Sequence, residues 1–221
     1  MRLDTQPDQP AQVDAKHARW VSSPTLGVQR CLFEGSGSES VPATSLVRYA
    51  PKSELAETGT VGCEEFLVLE GVLSDDSGAY PAGTYVRNPL GGSHRPRTGP
   101  GCLVLFKHSA MEAGDDMRVR RHTADPRLWQ PGPAPGVRAL YLHRFDREET
   151  LLLELAPGAA LPSRDLPGGE ELFVLIGECH DTGGTYGRHV WLRQPTRARA
   201  PRLQTDYGCR LFVKRGHLRP G

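Results

Sequence analysis

The side chains that could bind a metal or act as nucleophiles include five cysteines and eight histidines, and their spacing argues against several common kinds of chemistry. The cysteines are widely scattered and odd in number, so they form neither a disulfide framework nor a Cys-x-x-Cys metal clip. The sequence carries no Gly-x-Gly-x-x-Gly turn between a strand and a helix, no Walker loop, no Gly-x-Ser-x-Gly elbow and no His-Glu-x-x-His helix. It therefore gives no support to nucleotide-cofactor or serine-hydrolase chemistry, and its cysteine usage is typical of a reducing compartment.

A pair of adjacent glutamates occurs twice, at positions that match when the sequence is compared with itself. When the sequence is shifted by 106 residues, Glu64-Glu65 falls on Glu170-Glu171, and the segments 62–71 and 168–177 both end in glycine. The match extends further along the chain, with Arg87 on Arg193 and, after one inserted residue, Lys107 on Lys214. Self-similarity at one offset indicates a duplicated architecture. The chain is therefore two copies, called repeat 1 and repeat 2 below, of one unit of about 100 residues.

The elements that position these residues are predicted to be short strands. The apolar runs are rich in β-branched and aromatic residues, as in 45–49, 66–69 and 103–106. Turn sequences such as 74–78 separate them at intervals typical of a sandwich or a closed barrel. The 25 glycines and 19 prolines are too many for a helical bundle. The longest candidate helix, 110–122, is charged and is predicted to be linker or a short surface helix.

The overall composition excludes several kinds of partner. The 27 basic and 26 acidic residues nearly balance, so the chain has no strong field to attract a nucleic acid. No apolar run approaches the roughly 18 residues of a membrane helix, and the first residues lack the apolar stretch of a secretory signal. We therefore expect a cytoplasmic protein that binds neither nucleic acid nor membrane.

Repeat 1 resembles a ChrR-like cupin, the branch named after the sensory domain of an anti-sigma factor. The resemblance rests on EEFLVLEGVLSDDSGAYPAGTYVRNPLGGSH followed by GCLVLFK, and repeat 2 is similar through EELFVLIGECHDTGGTYGRHVWLRQP with GCRLFVK. It covers residues 20 to 218 and implies an all-β bicupin of two tandem jelly-roll barrels. We expect a flexible N-terminal segment over 1–19, barrel 1 over 20–115, a linker over 116–128 and barrel 2 over 129–218.

The resemblance also implies a metal site in each barrel, and this sequence departs from the ligand pattern. The family supplies His-x-His and a glutamate from one motif and a further histidine from a second, a set that suits zinc, iron, manganese or nickel. The corresponding residues are Thr58, Thr60, Glu64 and His94 in repeat 1, and Arg164, Leu166, Glu170 and Ala200 in repeat 2. Two retained ligands hold a divalent ion weakly, so we expect no tightly bound cofactor and at most a weakly held metal in barrel 1.

Arg164 is the most informative of these replacements. A guanidinium on the same inward face as Glu170 can supply the positive charge that a metal would have supplied. We therefore hypothesise a salt bridge between Arg164 and Glu170 that replaces the metal in barrel 2. The alternative is that Arg164 is an ordinary surface arginine pointing into solvent.

Glu64 and His94, with Thr58 and Thr60 beside them, are the candidate ligand-binding residues of the barrel 1 lumen. Three interpretations remain open for Glu64 and His94. They could be a residual metal site, a polar pair that binds or reacts with a small ligand, or an inherited hydrogen-bonded pair of the core, of which we favour the last. In that pair, the carboxylate would fix the histidine tautomer and raise the histidine pKa.

The function that this resemblance implies is regulatory. We expect a bicupin with degenerate metal sites that acts as a non-catalytic small-ligand-binding or regulatory protein, associated with transcription or stress response. The alternative is a metal-dependent dioxygenase or isomerase that uses barrel 1, with Glu57 or Glu65 as an additional ligand. Direct binding of a sigma factor is not expected, because the sequence lacks the His-x3-Cys-x2-Cys zinc motif of the anti-sigma proteins. A homodimer is a further expectation.

Overall fold

The computed structural model describes residues 8–35, 42–54, 58–59, 63–89, 93–108, 111–112 and 114–218, with the backbone alone at 58–59 and 93–94. These residues form two compact units. Unit 1 contains residues 18–124, and unit 2 contains residues 8–17 together with 125–218. The first described residues therefore belong to the same unit as the last.

Almost all regular structure in the described residues is β, as the sequence predicts. The first eleven strands in chain order, of which β1 belongs to unit 2 and the others to unit 1, are β1 (Ala11–Asp14), β2 (Val21–Ser22), β3 (Val28–Glu34), β4 (Ala43–Tyr49), β5 (Thr58–Gly59), β6 (Glu64–Asp75), β7 (Gly78–Pro81), β8 (Thr84–Asn88), β9 (Ser93–His94), β10 (Cys102–His108) and β11 (Val119–His122).

Unit 2 continues after a short 3-10 helix, Pro126–Leu128. Its remaining strands are β12 (Gln130–Pro131), β13 (Val137–Phe145), β14 (Glu148–Leu155), β15 (Ala160–Leu161), β16 (Arg164–Leu166), β17 (Glu170–Asp181), β18 (Gly184–Gly187), β19 (Val190–Gln194), β20 (Ala198–Ala200), β21 (Leu203–Gln204) and β22 (Cys209–Arg215).

The main sheets of the two units have the same strand order, which agrees with the internal duplication read from the sequence. Unit 1 has the order β11-β8-β6-β10-β4-β3-β2, and unit 2 has the order β1-β19-β17-β22-β14-β13-β12. All of these neighbours pair antiparallel. Short strand pairs complete each unit, β5 with β9 in unit 1 and β15 with β21 and β16 with β20 in unit 2.

The longest strand of each unit belongs to both the main sheet and the short strands, and a glycine lies where it changes partner. The first halves of β6 and β17 lie in the main sheets, and the second halves pair with β7 and β18. Gly71 and Gly177 have positive φ angles of 73° and 75°. A Cβ atom there would collide with the carbonyl oxygen of Gly101 or Gly208, so the shared glycine is a steric requirement.

Each unit has an apolar core formed by one face of its main sheet. Phe66 and Val68 of β6 lie in the unit 1 core, and Leu172 and Val174 of β17 lie in the unit 2 core. Because side chains two apart on a strand share a face, Glu64 and Glu170 face the same way as these apolar residues. The strand pattern therefore places one glutamate beside each core.

Two segments differ from the expectation. Residues 1–19 were expected to be a flexible segment; residues 1–7 lie outside the described part of the chain, but Ala11–Asp14 forms β1 and pairs along β19. The charged 110–122 stretch does not form a helix in its described residues, because Val119–His122 is extended and pairs with β8. In both places the main-sheet edge has unpaired backbone groups that a short extended segment can satisfy, and this outweighs local sequence preference.

Within the described residues, no helix has the length and apolar character needed to cross a membrane.

Candidate functional site

The strand register places the presumed ligand positions of the two repeats at equivalent points. In unit 2, Arg164 of β16 pairs directly opposite Ala200 of β20. In unit 1, Thr58 of β5 pairs opposite His94 of β9. Arg164 follows Thr58, and Ala200 follows His94, by 106 residues, which is the offset found in the sequence. The two motifs that are distant in the chain therefore meet across one antiparallel ladder in each unit.

Glu64 and Glu170 begin the long strands next to these ladders. Glu170 pairs opposite Gln194 and is only 1% exposed, and Glu64 pairs opposite Asn88 and is 7% exposed. Removing a carboxylate from water is costly unless a cation or several hydrogen-bond donors compensate it. The two units must therefore each provide such compensation.

In unit 2, Arg164 provides the positive charge that compensates the buried Glu170 carboxylate. The Arg164 Nη2 atom forms an ion pair with Glu170 Oε1, and Arg164 Nε donates to Glu170 Oε2 at 3.3 Å. The pair is bidentate, the geometry in which a guanidinium binds a carboxylate most strongly. The Glu170 side chain is 1% exposed and the Arg164 side chain 20%. Arg164 therefore points toward the barrel interior rather than into solvent.

A small cavity lies beside this ion pair. Its volume is about 20 Å³, and its lining includes Arg164, Glu170, Asp181 and Gln194 together with Leu172 and Leu203. The Nη1 atom of Arg164 is buried and makes no hydrogen bond to the described residues. A cavity of this size holds about one water molecule. This cavity therefore has room for a water molecule beside the ion pair.

In unit 1, the described part of the site is a buried glutamate among aromatic side chains. Tyr49, Phe66 and Tyr80 belong to the apolar core on the face that Glu64 shares. Burial raises the pKa of the Tyr49 phenol, and the nearby Glu64 carboxylate raises it further. Tyr49 therefore stays protonated and can act as a hydrogen-bond donor beside Glu64.

Several predicted residues of barrel 1 lie outside the described part of the chain. Glu57 and Thr60 are not described, and Thr58 and His94 are described only through their backbone pairing. The relation between the His94 imidazole and Glu64 therefore stays a prediction. The strand register does pair β5 with β9 in unit 1 as it pairs β16 with β20 in unit 2, where Arg164 lies near Glu170.

The second glutamate of each pair faces the other side of the sheet. Glu65 Oε1 accepts a hydrogen bond from the Tyr85 hydroxyl at 3.0 Å, and Glu171 Oε2 accepts one from Trp191 Nε1 at 2.8 Å. His217 Nε2 also lies 2.6 Å from Glu171 Oε1. Neighbouring residues on a strand point to opposite faces. Glu65 therefore cannot be the additional lumen ligand considered for an enzyme in barrel 1.

A tyrosine–aspartate pair, which was not among the predicted site residues, closes the hairpin after each long strand; it is buried in unit 1 and partly buried in unit 2. The Tyr80 hydroxyl lies 2.9 Å from Asp75 Oδ1, and the Tyr186 hydroxyl lies 2.8 Å from Asp181 Oδ1. Burial, and then the bond to Asp75, raises the pKa of Tyr80 to about 12. The signal was available, because both repeats carry aspartate and tyrosine five residues apart at the same offset.

All five cysteines are buried and free. Cys102 and Cys209 belong to the cores of units 1 and 2, at the equivalent first positions of β10 and β22. Burial raises the pKa of Cys102 to about 11, which makes its thiol less reactive. This arrangement suits a packing role.

Within the residues whose side chains are described, no three His, Cys, Asp or Glu side chains converge closely enough to hold a metal ion.

Comparison with known proteins identifies the architecture. The family model for the ChrR cupin-like domain matches twice, at residues 8–112 and 117–219. No protein with a curated description matches the sequence significantly.

Three solved structures illustrate the similarity of fold. A candidate dioxygenase from Nostoc punctiforme has a TM-score of 0.74 and 18% identity, over 97% of this chain and 85% of that one. An 11S allergen from Cocos nucifera has a TM-score of 0.68 and 10% identity, over 94% and 89%. A cupin 2 conserved barrel domain protein from Leptotrichia buccalis has a TM-score of 0.64 and 10% identity, over 97% and 99%. These likenesses confirm the predicted fold of two tandem cupin barrels.

Proposed function

This chain belongs to the ChrR cupin-like family, and on that premise we propose that it is a bicupin that works without a resident metal, as a small-ligand-binding or regulatory protein rather than an enzyme. In this proposal barrel 2 is a closed structural barrel, and barrel 1 is the barrel that receives a ligand. The observation that carries the proposal is the buried ion pair between Arg164 and Glu170.

The ion pair supports a metal-free barrel 2 through charge. Arg164 stands where the family resemblance implies a histidine ligand, and its positive charge lies against the one carboxylate that a metal would use. A divalent ion about 4 Å from the guanidinium would be opposed by roughly 8 kcal/mol at an effective dielectric constant of about 20. The side chains of Leu166 and Ala200 have no atom that could bind the metal ion and so offset this repulsion.

The available space supports the same conclusion. The cavity beside the ion pair holds about one water molecule, so this cavity is too small for an organic substrate while Arg164 is bound to Glu170. Breaking a buried pair leaves an uncompensated charge and is strongly unfavourable. Barrel 2 is therefore proposed to stabilise the protein and not to bind a ligand.

Barrel 1 is proposed as the ligand site because the position equivalent to Arg164 carries a small neutral side chain. Thr58 is the residue in the place of Arg164. The lumen combines the Glu64 carboxylate with the Tyr49 phenol and the Phe66 ring. An apolar pocket with a few polar groups is the usual form of a small-molecule site. The chemistry fits a small organic molecule with a flat apolar part and a hydrogen-bond donor for Glu64.

The test is a thermal-shift screen of small polar aromatic molecules in the presence of EDTA. A compound that stabilises the wild type should lose its effect in Glu64→Gln and keep it in Glu70→Gln, a variant of an exposed glutamate on the same strand. Stabilisation that requires added divalent metal, or that survives in the Glu64→Gln variant, would contradict the proposal.

A further inference from the structure

At one edge of each unit's main sheet, the edge strand is a short segment from the start of the other repeat. The strand β1 precedes the rest of repeat 1 but pairs with β19 in unit 2, and β11 precedes the rest of repeat 2 but pairs with β8 in unit 1. The family model assigns them the opposite way, because its first match includes residues 11–14 and its second includes residues 119–122. The two repeats have therefore exchanged their leading strands.

The exchange is reciprocal down to the individual residue pairs. Ala11 pairs with Arg193 in unit 2, and Val119 pairs with Arg87 in unit 1. The accepting residues Arg87 and Arg193 are equivalent at the 106-residue offset, and the leading strands are equivalent at an offset of 108. The leading strand therefore pairs with the sheet edge in the same register in both units.

An arginine holds the incoming segment at the same point in both units. Arg87 Nη1 donates to the backbone carbonyl of Met117 at 2.7 Å, and Arg193 Nη2 donates to the backbone carbonyl of Gln9 at 3.1 Å. Each carbonyl lies two residues before its leading strand. Both arginines are fully buried. The recurrence of this arginine in the sequence therefore has a structural counterpart in both units.

We propose that Arg87 and Arg193 are the anchors of a strand receptor at the main-sheet edge of each unit, and that the strand each receptor takes is the leading strand of the repeat other than its own. Main-chain hydrogen bonds to the sheet edge provide the attachment, as in other cases of strand addition. The arginine adds a charged donor to a carbonyl at a fixed distance before the strand, which sets the register.

The described contacts of the two receptors extend beyond the shared arginine–carbonyl bond. Arg87 also forms an ion pair with Asp115, Nη2 to Oδ2 at 2.5 Å, and both side chains are at most 1% exposed. The described contacts of the first leading segment with its receptor include the short ladder, the Gln9 carbonyl, and the bond from the Ala15 amide to the His189 carbonyl at 3.2 Å. The receptor on β19 is the one opened in the second experiment below.

The first experiment is hydrogen–deuterium exchange on the full chain. Arg193→Ala should accelerate exchange at residues 11–14, which belong to repeat 1, and leave 119–122 unchanged, whereas Arg87→Ala should do the opposite. Arg199→Ala, which removes an exposed arginine of unit 2, should change neither segment. Arg193→Lys should restore part of the protection because it keeps a charged donor. Equal effects on both leading strands, or no effect at 11–14, would overturn the proposal.

A second experiment tests the receptor directly, even if Arg193→Ala weakens unit 2. Because alternate residues of an edge strand direct their N–H groups to the partner, replacing both Gln12 and Val13 by proline removes at least one ladder bond and frees the edge. A labelled peptide of residues 8–17 should then bind this variant saturably and should not bind the wild type, whose edge is filled.

Adding Arg193→Ala to the double-proline variant should weaken peptide binding about tenfold to a hundredfold, the effect of losing a bond from a charged donor. A peptide of residues 116–125 should not bind the wild type, in which the receptor on β8 is filled. Peptide binding that is equal in the wild type, or unaffected by Arg193→Ala, would overturn the proposal.

Discussion

Removing the positive charge of Arg164 should destabilise unit 2 by about 3 kcal/mol. Breaking a buried ion pair by deleting one partner costs roughly 3–5 kcal/mol, and the lower end applies because Arg164 is partly exposed while Glu170 is fully buried. Arg164→Met keeps the apolar stem and removes only the charge. For a unit of about 100 residues, 1 kcal/mol corresponds to roughly 4–8 °C, so the unit 2 transition should fall by roughly 12–24 °C.

The assay should report unit 2 by itself, since two compact units need not unfold together. Of the three tryptophans, Trp129 and Trp191 lie in unit 2. A Trp20→Phe background therefore makes tryptophan fluorescence in a urea or thermal titration a reporter of unit 2. Trp191 is suited to this because it is 1% exposed and loses its bond to Glu171 on unfolding.

Two further variants make the experiment decisive. Arg199→Ala breaks the ion pair with Asp165 on the same two short strands, but both partners are largely exposed, so it should cost less than about 1 kcal/mol. Arg164→Met with Glu170→Met replaces both charges by apolar groups and should recover to within about 1 kcal/mol of the wild type. The reasoning is refuted if Arg164→Met costs no more than Arg199→Ala, or if the double variant is as unstable as Arg164→Met alone.

Three other predictions concern the cysteines, Tyr80 and Gly177. All five thiols should resist alkylation in the native protein at pH 8 and react after unfolding in a thiol titration; fast native modification of Cys102 would contradict its raised pKa. The pKa of Tyr80 is about 12 when folded and about 10 when unfolded, so its contribution to stability is complete below pH 10 and is lost between pH 10 and 12. Tyr80→Phe should show a smaller loss of stability over that interval in denaturant titrations, and an unchanged loss would argue against the assignment. Gly177→Ala should prevent unit 2 from folding normally, as judged by circular dichroism, because a Cβ there meets the Gly208 carbonyl.

The duplicated architecture could be predicted from the spacing of residues in the sequence, and the ion pair in barrel 2 from that spacing together with the cupin resemblance. The 106-residue offset aligned Glu64 with Glu170, and the period of two along a strand put each glutamate on the inner face. The cupin resemblance then put Arg164 where a ligand would stand, next to a carboxylate that needs a cation. Because burying Glu170 without a positive charge would be costly, the resemblance and the spacing together predicted this pair.

The strand exchange could not be predicted in the same way. The offset shows that segments 11–14 and 119–122 are equivalent, but both main-sheet edges offer the same unpaired backbone groups to either segment. Which edge a segment reaches depends on the path of the chain between the units, and a propensity or a repeat carries no information about that path. The sequence shows that Arg87 recurs as Arg193, but it does not show which segment either arginine binds.

The measurement that tests the central claim most directly is the metal content of the untagged protein, expressed with zinc, iron, manganese and nickel supplied and dialysed without chelator. The account predicts well below one equivalent per chain, and thermal stability unchanged by EDTA. A variant with Arg164→His, Leu166→His and Ala200→His restores the ligands implied by the family and should retain a metal, which shows that the method would detect one. One or more tightly held equivalents in the wild type, with stability lost in EDTA, would contradict the account.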